Sequence, residues 1–302
     1  MKMARTAGWT GAALIAAAGI GFLLCPVGYF DEAMYLREAL HGIKSRTVQV
    51  ESYRVHYLEE GPWDGQTLVL VHGLGASAEA WRNLAPYFVK AGFHVFIPDL
   101  PGYGRSQRPA DFSYSVRDEA AVVIGFMDAL GLKKVDLAGW SMGGWIVQIV
   151  AGEAPERIKR LLLFDSAGLH VIPDWDTGLF TPATAEQLDQ LEALLTPHPE
   201  SIPWFVSRDI LRVTRERGWV IRRAMASMLT GRDVTENLLP ELKMPVLIGW
   251  GAEDRITPLE EGKKMHQLIP QSQLDVIVGC GHLAPIDCSS QVGPQAVAFL
   301  KQ

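Results

Sequence analysis

The stretch from residue 135 to residue 147 constrains the fold of this chain more than any other. It reads VDLAGWSMGGWIV, so an apolar run enters a G-x-S-x-G turn centred on Ser141 and a helical pattern leaves it. A serine held on a sharp turn between a strand and a helix has the setting of a nucleophile. Gly139 and Gly143 fit such a turn, because a strained serine backbone leaves no room for neighbouring Cβ atoms. The stretch therefore predicts a strand, a nucleophilic serine and a helix, in that order.

Strand and helix patterns alternate on both sides of this turn. Residues 47–50 and 53–58 alternate apolar and polar side chains, which predicts an antiparallel pair of strands. Continuous apolar runs bounded by turns predict buried strands at residues 67–71, 94–98, 160–165, 245–250 and 273–278. We expect helices to begin near Ala78 and near Ser115. Strands that alternate with helices indicate a mostly parallel α/β sheet.

The alternation stops at Gly168. From there to residue 240 the sequence is rich in proline and aromatic residues and shows helical patterns, at residues 185–195 and 208–229, without a buried strand. A helical insertion between two strands predicts a cap over a pocket. The expected organisation is a first core segment (residues 45–167), a helical cap (residues 168–240) and a second core segment (residues 241–302).

The composition excludes several classes of function. A net charge of −6 and a pI near 5.8 provide no basic surface for nucleic acid, and the sequence has no Walker-type phosphate loop. The three cysteines lack a C-x-x-C pair, which argues against a zinc site or a disulfide framework. A single bridge between Cys280 and Cys288 is left open for an oxidising compartment.

The first thirty residues differ from the rest of the chain. Lys2 and Arg5 precede an uncharged run at residues 6–30, and Asp31 and Glu32 follow it. The run is long enough to cross a hydrocarbon core of about 30 Å as a helix. Positive residues before the run favour a cytoplasmic N-terminus. We expect residues 1–30 to anchor the protein in a membrane, with the folded part on the periplasmic or extracellular side. A cleaved signal peptide and a buried or disordered tail are the alternatives.

Five motifs in order carry a resemblance to a known family. They are HGLG at residues 72–75, DLPGYG at 99–104, GWSMGG at 139–144, GAEDR at 251–255 and GCGH at 279–282. With them, residues 45–300 resemble the α/β-hydrolase superfamily. The chain is similar in particular to small bacterial lipases and esterases of the family V type, and to the related carbon–carbon bond hydrolases of aromatic degradation. The resemblance implies an eight-stranded α/β-hydrolase sheet with helices on both faces and a helical cap, but it specifies the substrate much less.

The resemblance also implies roles for single residues. A serine hydroxyl needs an imidazole base, and the base needs a carboxylate that orients it. The superfamily order of serine, acid and histidine implies Ser141 as nucleophile, Asp254 as acid and His282 as base. Asp165, at the end of the preceding strand, is the rival for the acid.

Two backbone amides are implied as the oxyanion hole. By the same resemblance they belong to Leu74, in the loop after the third strand, and to Met142, directly after the nucleophile. His72 is interpreted as a structural residue of that loop.

Aromatic side chains of the cap and of the serine turn are the candidates for substrate contacts: Trp140, Trp175, Trp204 and Phe205. The alternative for each is that it packs the cap onto the core. A series of arginines between Arg208 and Arg223 predicts either a solvated helix face or a surface that rests on anionic lipid.

Together these features predict a serine hydrolase that cleaves a hydrophobic carboxylic ester through an acyl-enzyme, without metal or organic cofactor. Its partner is a small-molecule ester, and no nucleic acid. The rival reaction is carbon–carbon bond hydrolysis of a diketone-type substrate, for which the resemblance implies Asn and Trp where Trp140 and Leu283 stand. Haloalkane dehalogenases and epoxide hydrolases use Asp where Ser141 stands. A hypothesis of another class is a non-catalytic, membrane-tethered ligand receptor.

Overall fold

An eight-stranded sheet forms the centre of the molecule, in a computed structural model that describes residues 21–302. The strands are β1 (Lys44–Val50), β2 (Tyr53–Glu60), β3 (Gln66–Val71), β4 (Phe93–Pro98), β5 (Val135–Trp140), β6 (Ile158–Phe164), β7 (Val246–Gly251) and β8 (Ser272–Ile277). Their order in the sheet is β1-β2-β4-β3-β5-β6-β7-β8. β2 pairs antiparallel with β1 and β4, and the other pairs are parallel. The prediction of a mostly parallel sheet of eight strands is confirmed.

Helices cover both faces of this sheet. They are α1 (Pro26–His41), α2 (Ala85–Lys90), α3 (Val116–Ala129), α4 (Met142–Glu153), α5 (Ala185–Leu195), α6 (Trp204–Arg217), α7 (Trp219–Met228), α8 (Leu259–Leu268), α9 (Ala284–Asp287) and α10 (Ser289–Leu300). One apolar cluster lies between the sheet and α3, α4 and α8, and a second lies between the sheet and α2 and α10. The core is therefore two layers, one on each face.

Strand β3 shows why the sheet is buried on both sides. Val69 and Val71 belong to the first cluster, whereas Leu68 and Leu70 belong to the second. This alternation follows from the two-residue period of a strand, so a continuous apolar run fills both layers. The serine turn of the sequence follows β5, one of the two central strands of the sheet.

Three helices, α5, α6 and α7, lie between β6 and β7, in the range expected for the cap. The helix predicted over residues 208–229 is in fact two helices that meet at Gly218, a residue with low helix propensity. The helix predicted from Ala78 is a short 3₁₀ turn, Ala78–Trp81, and α2 begins only at Ala85, with a proline in its first turn. The predicted helix near Ser115 is α3, which begins at Val116, and the Ser115 hydroxyl accepts the Asp118 N–H at its start.

The predicted membrane segment lies mostly outside the described residues, and its last five residues belong to α1. Helix α1 contacts the cap, where the Val27 N–H donates to the Asp209 carboxylate over 3.0 Å. It also contacts the core, where Arg105 pairs with the buried Glu38. From residue 21 onwards, no helix is both long and apolar enough to cross a bilayer.

A disulfide joins Cys280 to Cys288. It closes the loop that carries His282 and reaches the start of α10. The bridge that the sequence left open is thus present in the structure.

Candidate active site

Ser141 lies between the end of β5 and the first residue of α4. Its backbone has φ 56° and ψ −121°, a strained conformation for a residue with a side chain. Gly139 and Gly143 make this turn feasible, because a Cβ on the first would overlap the Gly143 carbonyl and a Cβ on the second would overlap the Val71 carbonyl. The turn therefore presents the Ser141 hydroxyl above the sheet, at the N-terminal end of a buried helix.

His282 follows β8 and lies against this hydroxyl. Its Nε2 is 2.8 Å from the Ser141 Oγ, and its Nδ1 is 2.8 Å from the Asp254 Oδ2. Because a carboxylate only accepts hydrogen bonds, Nδ1 carries the proton and Nε2 accepts from the serine hydroxyl. Both His282 and Asp254 are buried. The structure thus brings three distant residues into one continuous hydrogen-bonded chain.

Asp254 is held by four hydrogen bonds in the turn after β7. Its Oδ1 accepts the backbone N–H groups of Ile256 (2.8 Å) and Thr257 (2.9 Å). Its Oδ2 accepts from the Thr257 hydroxyl (2.8 Å) as well as from His282. These bonds fix the plane of the carboxylate and leave one oxygen aimed at the imidazole.

Asp165, the rival acid, has a different environment. Its Oδ1 accepts the Gly251 N–H over 2.7 Å, its Oδ2 is buried without a hydrogen-bond partner in the described residues, and no contact with His282 is formed. Burial and the neighbouring charge of Asp254 raise its pKa well above the usual range. Through its bond to Gly251, Asp165 ties the end of β6 to the end of β7.

Two restraints hold the loop of His282. The indole Nε1 of Trp140 donates to the His282 carbonyl over 2.7 Å, and the Cys280–Cys288 disulfide brackets the loop. Trp140 is buried, and it is not among the residues that line the pocket described below. Trp140 thus holds the loop of His282, and its contact with a substrate stays a prediction.

The amides expected at an oxyanion hole lie on either side of the serine. Met142 is the first residue of α4, and Leu74 lines the same pocket as Ser141. Within residues 21–302 neither backbone N–H donates a hydrogen bond, so both are free to bind a ligand oxygen. His72 accepts the Leu100 N–H at Nε2 and donates from Nδ1 to the Gly73 carbonyl, which fixes the backbone before Leu74.

A pocket of about 170 Å³ opens next to Ser141. Its walls are mainly apolar: Leu169, Val171, Ile172, Trp175, Phe180, Met225, Met228 and Leu229. Trp175 thus lies where a substrate contact was expected. The other two cap candidates do not, because Trp204 is 71% exposed and the Phe205 ring contacts Phe22, 5.7 Å away. Their positions on an amphipathic helix did not reveal that the Trp204 ring is exposed and that the Phe205 ring packs on the N-terminal segment.

Two residues of the site were missed by the sequence reasoning. Thr257 holds Asp254 and is within 3.2 Å of the His282 Nδ1, and Glu261 lines the pocket. A signal for this turn was available, since an Asp side chain often accepts the backbone amide two residues further on, here that of Ile256, directly before Thr257. For Glu261 the sequence offers only a position in the first turn of a helix.

A second chain of the same residue types lies away from this pocket. The Ser45 Oγ is 2.8 Å from the His56 Nε2, and the His56 Nδ1 is 2.8 Å from the Asp99 Oδ2. Arg105 also donates to the Ser45 Oγ over 3.0 Å. Ser45 belongs to the edge strand β1, so it precedes no helix.

Several arginines of the cap are already engaged within the protein. Arg208 donates to the Leu23 carbonyl, Arg212 pairs with Asp209 and Glu216, and Arg223 donates to the Ala110 carbonyl. In the part of the chain that the structure describes, no cluster of His, Cys, Asp and Glu forms a candidate metal site.

Comparison with known proteins places this site in a family. A family model of the alpha/beta hydrolase fold matches residues 66–194 and 204–287. The chain is 30% identical over 276 residues to a 2-hydroxy-6-oxo-6-phenylhexa-2,4-dienoate hydrolase of Comamonas testosteroni, covering 84% of this chain and 93% of that relative. It is 31% identical over 258 residues to the protein of the same name from Burkholderia cepacia, covering 78% and 87%.

A solved structure extends the similarity to nearly the whole chain. The crystal structure of a membrane phospholipase A, a bacterial virulence factor, superposes with a TM-score of 0.83 and 26% identity, covering 98% of both chains.

Proposed function

This chain belongs to the α/β-hydrolase family, and from that premise we propose that it is a serine hydrolase of hydrophobic carboxylic esters. The observation that carries the proposal is the hydrogen-bonded chain from Ser141 through His282 to Asp254, which opens onto an apolar pocket. A nucleophile, a base and an orienting acid at hydrogen-bond distances are what acyl transfer needs.

In the first half of the reaction Ser141 attacks the ester carbonyl. The His282 Nε2 takes the hydroxyl proton, and Asp254 stabilises the imidazolium that forms. The amides of Leu74 and Met142 donate to the oxyanion, assisted by the N-terminal end of α4. His282 then returns the proton to the leaving alcohol, and an acyl-serine remains.

In the second half a water molecule takes the place of the alcohol. His282 removes a proton from this water, which attacks the acyl carbon, and the same oxyanion site holds the second tetrahedral intermediate. The Ser141 oxygen leaves with the proton from His282, so the net result is an acid and an alcohol. In both halves the same imidazole, that of His282, takes up a proton and gives it back.

The polarity of the pocket favours an apolar acyl group. No lysine or arginine is among the residues that line it, all of which belong to the described part of the chain, and most are aliphatic or aromatic. A hydrocarbon chain gains free energy on entering such a pocket, about 0.8 kcal/mol for each buried CH₂ group. A membrane phospholipase A with the same overall fold is consistent with this substrate class.

The second candidate is carbon–carbon bond hydrolysis. The names of two relatives support it, since both are dienoate hydrolases. A dienoate carries a carboxylate, however, and the pocket offers a carboxyl group of its own, Glu261, rather than a cation. The residue before Ser141 is also a buried tryptophan, Trp140, whereas the resemblance implies an asparagine there for a carbon–carbon bond hydrolase.

The decisive experiment compares substrates and a serine-reactive probe. We expect hydrolysis of p-nitrophenyl esters, at least tenfold faster than hydrolysis of a 2-hydroxy-6-oxo-dienoate in kcat/KM, and phosphonate labelling that Ser141→Ala abolishes. Faster turnover of the diketone would assign the chain to carbon–carbon hydrolysis. Absence of labelling in both proteins would indicate a non-catalytic ligand receptor.

We further propose that the folded part works outside the cytoplasm, next to a membrane. The uncharged run at residues 6–30 and its flanking charges support a membrane segment, and the Cys280–Cys288 disulfide is typical of oxidising compartments. Fractionation of cells that express the chain with and without residues 1–30 tests this. A full-length protein found only in the soluble cytoplasmic fraction would contradict it.

A further inference from the structure

The pocket beside Ser141 contains one carboxylic acid. Glu261, in the first turn of α8, is the only Asp, Glu, Lys or Arg among the lining residues, all of which lie within residues 21–302. The surrounding side chains are mainly apolar, with the hydroxyls of Ser141 and Thr257 and the ring of His170 as the other polar groups. A single carboxyl group in such a wall is the strongest electrostatic feature that an entering acyl group meets.

The charges around Glu261 do not neutralise it. The charge of Asp254, which already bonds His282, acts on Glu261, and Lys264 on the same helix is paired with Glu236 over 2.8 Å. Within residues 21–302 the Glu261 side chain makes no hydrogen bond. Burial and the charge of Asp254 raise the pKa of Glu261 to about 7, while Lys264 acts in the opposite direction. Its carboxyl group is therefore neutral below pH 7 and ionised above it.

We propose that Glu261 determines the charge selectivity of the pocket, which accepts neutral acyl groups and rejects acyl groups that carry a second carboxylate or another anion. The inference rests on the proposed ester hydrolase function and deepens it by naming the substrate class. Two like charges in an apolar, partly closed pocket repel each other far more than they do in water. Rejection of the wrong substrate by an unpaired charge is a common route to specificity.

Two p-nitrophenyl esters of equal chain length test the proposal: the hexanoate and the monoester of adipic acid, which adds a remote carboxylate. The measured quantity is the ratio of their kcat/KM values, hexanoate over adipate. Because both esters use the same Ser141 and His282, the pH dependence of the chemical step cancels in this ratio. The adipate carboxyl stays ionised at pH 6 and above, since alkyl carboxyls have a pKa of about 4.3.

At pH 8.5 we expect Glu261→Gln to lower the ratio about tenfold, the size of the repulsion between charges roughly 10 Å apart at an effective dielectric constant of about 20. In the wild type the ratio should fall by a similar factor between pH 8.5 and pH 6, as Glu261 becomes protonated. In Glu261→Gln it should not change with pH.

Glu260→Gln is the matched control. Glu260 is the neighbouring residue, but its side chain is 76% exposed, pairs with Lys263 and does not line the pocket. A ratio that is unchanged in Glu261→Gln, or that changes equally in Glu260→Gln, would overturn the proposal.

Binding separates this proposal from the proposed function. The affinities of hexanamide and adipic acid monoamide for Ser141→Ala, measured by calorimetry, give the same charge ratio without turnover. A preference for hexanamide that Glu261→Gln removes supports the selectivity even if no ester is hydrolysed. Equal affinities for both amides in the presence of Glu261 would contradict it.

Discussion

Asp254→Asn is the substitution for which the structure makes the sharpest prediction. The Oδ1 atom of Asp254 accepts two backbone N–H groups, from Ile256 and Thr257, and its Oδ2 faces the His282 Nδ1 at 2.8 Å. An asparagine must place its carbonyl oxygen against the two N–H donors, because its amino group would oppose them. The amino group then points at His282 and donates to Nδ1.

This reversal selects the wrong tautomer of the base. With Nδ1 as acceptor, the proton of His282 moves to Nε2, which faces the Ser141 Oγ at 2.8 Å. The imidazole can then no longer accept the serine proton. In the serine proteases this change lowers kcat by about 10⁴-fold, which corresponds to roughly 5.5 kcal/mol of transition-state stabilisation at 1.36 kcal/mol per tenfold. We expect a loss of that size in kcat, with KM nearly unchanged.

The matched control is Asp165→Asn. Asp165 is a buried carboxyl group near Asp254, and burial and the charge of Asp254 raise its pKa well above the usual range. An asparagine carbonyl can still accept the Gly251 N–H. We expect kcat within about threefold of the wild type, since the His282 Nδ1 bonds Asp254 and not Asp165.

Both variants are measured by initial rates on p-nitrophenyl hexanoate, with thermal unfolding to show that each is folded. Full activity of Asp254→Asn, together with inactivity of a folded Asp165→Asn, would refute the argument, because the acid of the site would then be Asp165.

Two further substitutions test the supports of the site. Thr257→Val keeps the backbone N–H that binds Asp254 but removes the hydroxyl bond to the Asp254 Oδ2. We expect kcat to fall about tenfold with little change in KM. Steady-state kinetics that show a loss in kcat of less than about twofold would contradict a positioning role for Thr257. Gly143→Ala places a Cβ against the carbonyls of Val71 and His72. We therefore expect a loss of at least about 3 kcal/mol in the free energy of unfolding. An unchanged Tm in calorimetry would show that the turn has more room than the structure indicates.

Much of the core was predictable from local patterns. An apolar run such as residues 67–71 predicts a central strand of a parallel sheet, because such a strand is buried on both faces and needs apolar side chains along its length. The same holds for the serine turn, where two glycines and a strand-to-helix change indicate one backbone geometry. Each of these features is determined by residues that are close together in the sequence, so local patterns are sufficient to predict it.

The pocket was less predictable, because its walls depend on contacts between segments far apart in the chain. Trp140, Trp175 and Trp204 are equally apolar in the sequence, but one supports the base loop, one lines the pocket and one is exposed. Glu261 shows the same limit, since its burial against Asp254 is set by the way α8 packs beside β7. Side-chain direction in the folded state decides these roles.

The chain from Ser45 through His56 to Asp99 has a consequence for how such sites are recognised. A geometric template of three side chains would match this molecule twice, with the same 2.8 Å separations at both places. The two matches differ in the main chain: Ser141 heads a buried helix in a strained conformation, whereas Ser45 lies in an edge strand with a guanidinium on its oxygen. Peptide dipoles, which no side-chain template contains, therefore distinguish Ser141, the proposed nucleophile, from Ser45.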